Sequence, residues 1–102
     1  MIRTLASAFL ALASLAAMPA PAAAAGAHYR AELVSSSGES RLMAGDLVWR
    51  CSQATCTAAK SNSRPAIECA AFVRKAGAVR SFSAAGEALS PEQLEKCNAR
   101  AR

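Results

Sequence analysis

The spacing of apolar positions changes several times along the chain, and each change predicts an element. Leu5 to Met18 is an unbroken run of apolar and small residues. From Tyr29 the pattern alternates: Tyr29, Ala31 and Leu33 share one face, Arg30, Glu32 and Val34 the other, as in a half-buried strand. Ser35 to Glu39 is a polar turn, and Ser40 to Met43 a short second strand turned by Ala44-Gly45-Asp46. Leu47, Trp49 and Cys51 alternate with Val48, Arg50 and Ser52. Cys56 to Ala59 answers them across the turn Ser52–Thr55. If Cys51 faces Cys56, Trp49 faces Ala58 on the same side of the sheet.

A helical period follows. Ala66, Cys69, Phe72, Val73 and Ala76 recur at helical spacing as a buried stripe, with Arg64, Glu68, Ala71 and Lys75 expected in solvent. Ser63 is the expected cap, Pro65 fits the first turn, and Gly77 ends the helix. Ala78 to Ala84 returns to a strand anchored by Phe82, with a turn at Gly86. Ser90-Pro91-Glu92-Gln93 then spells a capping box, with Leu89 and Leu94 spaced as its hydrophobic staple. Leu94 and Cys97 share a face, and residues 98–102 are expected to fray.

The fold class expected is α+β. A small antiparallel sheet of three to five strands, drawn from Tyr29–Val34, Leu47–Cys51, Cys56–Ala59 and Val79–Ala84, packs against helices Pro65–Ala76 and Pro91–Ala99. Leu33, Leu47, Trp49, Ala58, Cys69, Phe72, Val73, Phe82, Leu89, Leu94 and Cys97 form the expected core.

Charge and composition change how the first residues are read. Arg3 is the only charge before Arg30, Pro19 and Pro21 break the apolar run, and Ala23-Ala24-Ala25 fits a small-residue cleavage site. Residues 1–25 are therefore expected to be a signal peptide and 26–102 a single domain; cleavage after Ala27 fits nearly as well. The uncharged stretch Leu5–Ala27 is just long enough to span a membrane, but it is Ala-rich and holds two prolines, where a span is about 20 strongly apolar residues, so no stable span is expected after cleavage. The expected location is the periplasm or the exterior. Residues 26–102 keep 11 of the 12 basic and all 7 acidic residues, a net charge of +4.

A domain this small makes a thin core and usually needs a staple. An even number of cysteines in an oxidising compartment reads as disulfides, and Cys51, Cys56, Cys69 and Cys97 allow three pairings. Cys51–Cys56 and Cys69–Cys97 are favoured, because one closes the expected hairpin and the other joins the two buried helix faces. On the chain-entropy model the longer loop gains about 3.6 kcal/mol and the shorter about 2 kcal/mol. A zinc site or a redox centre is disfavoured: C-x4-C on a hairpin is not C-x-x-C at a helix start.

Candidate chemistry is sparse. His28 is the only histidine, no nucleophile elbow surrounds any serine, and the acids do not cluster. No catalytic residue, cofactor or metal is expected, and few aromatics argue against nucleic acid. The functional hint is basic charge. Arg30 and Arg50 fall on outward strand faces, and with Ser52 and Gln53 in the turn they are the candidate partner-binding residues. The partner expected is an anionic envelope component or another protein. The reading is a small non-catalytic binding or structural module of the cell envelope; the alternative is a secreted inhibitor of another enzyme.

The spacing Trp49-x-Cys51-x4-Cys56-x-Ala58, then Arg64 with Cys69, Phe82-x3-Gly86-x2-Leu89 and finally Cys97-Asn98 resembles a family of short exported alphaproteobacterial proteins of unknown function. The resemblance implies export and disulfides and carries over no active site.

Overall fold

The computed structural model describes residues 27–102; the expected signal peptide lies outside the described residues. The elements run β1 (Tyr29–Leu33), β2 (Arg41–Ala44), β3 (Leu47–Ser52), β4 (Thr55–Ala58), α1 (Pro65–Ala76), β5 (Val79–Ala84), β6 (Glu87–Ala88) and α2 (Pro91–Asn98). The α+β class holds. The strands form one antiparallel sheet in the order β2-β3-β4-β1-β5-β6, six strands where three to five were expected. The additional strand is β6, whose two residues are too few to carry an alternation. It forms because Ala85 and Gly86 both take positive φ (51° and 79°), the paired left-handed geometry of a tight hairpin loop.

Alternation sorts the sheet into two faces. Tyr29, Ala31, Leu33, Leu42, Ala44, Leu47, Trp49, Cys51, Cys56, Ala58, Phe82 and Ala84 point to the helices and are buried. From α1 come Cys69, Phe72 and Val73, and from α2 Cys97. Trp49 is fully buried, its ring 4.4 Å from that of Phe72, with Phe82 and Tyr29 at 5.8 and 6.1 Å. Its small neighbour Ala58 leaves room for that helix. The indole Nε1 is buried without a hydrogen-bond partner. Helix α1 packs on β2, β5 and α2, and the β2–β3 turn meets it closely. There Gly45 takes φ 59°, and a Cβ added to it would lie 3.6 Å from that of Ala71.

Both favoured disulfides are present, and no cysteine is free. Cys51 and Cys56 are direct cross-strand partners with Cα atoms 4.1 Å apart, the narrow spacing of a non-hydrogen-bonded pair. Cys69–Cys97 ties α1 to α2. The capping box of α2 is complete: Ser90 Oγ accepts from the Gln93 N–H, and Gln93 Oε1 accepts from the Ser90 N–H.

Four local expectations need correction. Arg64, not Ser63, occupies the cap position of α1 and makes no side-chain cap. Ser63 instead donates its backbone N–H to Ser61 Oγ. Glu68 is buried rather than solvent-facing: its Oε1 accepts from Ser61 Oγ at 2.8 Å, and Ser61 Oγ also meets the Tyr29 hydroxyl at 3.1 Å. Ala66 is exposed, while Leu89 and Leu94 are half-buried at the rim of the core. Asn98 does not fray. Its carboxamide accepts from the Val79 N–H and donates to the Val79 carbonyl, both at 2.9 Å.

That last contact has a topological cause. Glu32 pairs with Ser81 and Leu33 with Val79, so Arg80 is the extra residue of a bulge. The two-residue β6 covers only the far end of β5. The Asn98 side chain supplies, at Val79, the hydrogen bonds that a longer β6 would have made.

Candidate functional site

Both described helices lie on the Trp49 side, so no helix among the described residues covers the other face of the sheet. Register fixes what stands on it. Arg41 is opposite Arg50, Arg50 opposite Thr57, Thr57 opposite Arg30, and Arg30 opposite Ser83. The result is a transverse row, Arg41–Arg50–Thr57–Arg30–Ser83, with strands about 4.8 Å apart. Arg30, Arg41 and Arg50 are exposed and Thr57 is half-buried. A second row, Ser52–Thr55–Glu32–Ser81, runs beside the first.

The candidate residues are thus partly gathered. Arg30 and Arg50 share the face, separated by the one strand that carries Thr57. Arg30 is tied to its own strand: its Nε and guanidinium nitrogen both lie 3.0 Å from Glu32 Oε1. Glu32 Oε2 in turn accepts from Thr55 Oγ1 at 2.8 Å. Arg50 has no ion pair among the described residues. Ser52 lies on the same face at the end of the hairpin. Gln53 stands off it, at the turn, with φ 56°, and its carbonyl accepts from Ser36 Oγ.

Arg41 was missed by the sequence reading. It faces Arg50 directly, and like charges in that position destabilise a strand pair. Neither has a carboxylate partner among the described residues. A shallow depression of about 290 Å³ opens at this pair, lined in part by Val48 and Thr57. The arrangement concentrates positive charge and hydrogen-bond donors on an open surface. Such an arrangement is suited to binding an anion.

Elsewhere the described residues hold no group of three His, Cys, Asp or Glu placed for a metal ion. A depression of about 420 Å³ lies between the start of α1, the β5–β6 hairpin and Gln93, with Arg64 and Glu87 as its charged residues. His28 sits at the edge of β1, its ring edge-on to Tyr29 at 4.6 Å. No helix among the described residues is long and apolar enough to cross a membrane.

Comparison with known proteins places the chain in one family. The model of a family of unknown function (DUF8200) matches residues 11–99, and the chain belongs to that family. No curated protein and no solved structure matches it.

Proposed function

We propose that this DUF8200 member is an exported, non-catalytic binding module whose bare sheet face meets an anionic partner of the cell envelope. The observation that carries the reading is the row Arg41–Arg50–Thr57–Arg30 on the face that no helix among the described residues covers. A sheet face that held only solubilising charge would alternate signs across strands, because opposite charges there stabilise and like charges cost. Here two arginines face each other. Two disulfides with no free thiol are compatible with an oxidising compartment. In the inhibitor alternative the β3–β4 turn would enter a target. Of Ser52–Thr55 only Ser52 and Gln53 are exposed, so this reading ranks second.

The test is a pull-down of the oxidised chain on envelope fractions over a salt series. Binding is expected to fall steeply and vanish near about 1 M salt, where the screening length is about 3 Å. Arg50→Glu should weaken it at low salt. Retention at high salt, or an Arg50→Glu variant that binds as well as the parent, would refute the reading.

A further inference from the structure

Resting on that reading, we propose that the Arg41–Arg50 end of the face docks on a bilayer surface containing anionic phospholipid. Two neighbouring residue pairs carry the inference. Arg41 faces Arg50, and Met43 faces Val48, on the same two strands and the same outer face. The Cys51 N–H donates to the Ser40 carbonyl, so the hydrogen-bonded positions of this ladder are 40 with 51 and 42 with 49. Arg41–Arg50 and Met43–Val48 therefore occupy the alternate, narrow positions, where Cα atoms are about 4.5 Å apart and side chains are closest.

The arginine pair fits a phosphate. Two guanidinium forks held side by side can each donate to phosphate oxygens, and the Thr57 hydroxyl beside Arg50 adds a further donor. Their mutual repulsion is relieved when an anion lies between them. The apolar pair selects the source of that phosphate. Met43 is 61% exposed, among the most exposed large apolar side chains described, and it stands one step along the strands from the arginines. A soluble phosphorylated polymer would engage the arginines and leave Met43 in water. The interface of a bilayer offers both partners at once, phosphate for the guanidinium groups and acyl or glycerol carbon for Met43 and Val48. Each arginine near an anionic surface is worth about fivefold in affinity, so the docking is peripheral and reversible.

The test uses residues 27–102, which contain all the described strands, both described helices, both disulfides and the described buried core. Flotation with phosphatidylcholine–phosphatidylglycerol vesicles is compared with pure phosphatidylcholine and with binding to soluble polyphosphate. Anionic vesicles are expected to bind and neutral ones not. Arg41→Gln with Arg50→Gln should weaken vesicle binding about 25-fold, and Met43→Ser about fivefold. Lys75→Gln, on α1, should leave it unchanged. The glutamine variants remove repulsion from the sheet, so a loss of binding in them is not a loss of folding; circular dichroism checks this. Binding to polyphosphate but not to vesicles, or vesicle binding indifferent to Met43, would overturn the bilayer assignment and leave the cationic-face reading standing. Binding indifferent to both arginines would overturn both.

Discussion

Asn98 offers a sharp prediction about how the domain is closed. Its carboxamide makes two hydrogen bonds to the backbone of Val79, each 2.9 Å, and Val79 is only 2% exposed. Asn98→Ala removes both partners and leaves an N–H and a carbonyl unpaired in a site largely closed to water. A net hydrogen bond contributes about 1 kcal/mol, and a buried polar group left unsatisfied costs about 1–3 kcal/mol. Water reaching the end of β5 recovers part of this, so the expected loss is about 2–4 kcal/mol. For a domain of this size that lowers Tm by roughly 10–25 °C. Urea and thermal unfolding followed by circular dichroism, with the disulfides intact, measure it. Asn98→Asp keeps an acceptor for the Val79 N–H but, when ionised, sets a carboxylate oxygen against the Val79 carbonyl. Only the protonated acid can donate there, so folding favours the protonated form and raises the folded-state pKa of the new carboxyl. The deficit relative to the parent should be smallest and flat below about pH 4, the unfolded-state pKa, and widen as the pH rises from there through the raised folded-state pKa. An Asn98→Ala variant within about 0.5 kcal/mol of the parent, inside the range of ordinary surface substitutions, would refute the claim that this side chain completes the edge of β5.

Other consequences can be checked by the same unfolding measurements. Replacing Cys69 and Cys97 with serine should cost about 3.6 kcal/mol and replacing Cys51 and Cys56 about 2 kcal/mol, in that order of severity; the reverse order would contradict the assignment of the helix–helix bridge as the main staple. Ser61→Ala should cost about 2–3 kcal/mol because it strips the buried Glu68 carboxylate of its hydroxyl donor, whereas Glu68→Gln, which keeps an acceptor, should cost less. Arg41→Gln should stabilise the domain by about 0.2–1 kcal/mol by removing the like-charge pair with Arg50; a destabilised variant would show that the two guanidinium groups are not in conflict.

Much of this fold is legible in the sequence where large side chains mark the period. Trp49 and Cys51 announce a strand face, Cys56 its partner, and Ser90-Pro91-Glu92-Gln93 a helix start, because each signal is complete within a few residues. The misses are contacts between distant segments. Glu68 reads as a solvent residue from helical spacing alone; its burial depends on Ser61 and Tyr29, which the fold brings to it. Asn98 reads as a fraying end; its role depends on a bulge at Arg80 and a β6 only two residues long. Ala31, Ala44 and Ala84 are buried, yet alanine gives too weak an apolar contrast to place them in the core. The candidate site divides in the same way. Arg30 and Arg50 are found by alternation within their own strands. Arg41 becomes visible only once the β2–β3 register sets it opposite Arg50.

The central claim is that the bare sheet face, and not the helical side, is the surface this protein uses. A photocrosslinking residue placed at Thr57, between Arg50 and Arg30, and another at Lys75 on α1 test it in the native envelope. Salt-sensitive crosslinks to an envelope component are expected from position 57 and none from position 75. Crosslinks from position 75 with none from position 57 would contradict it.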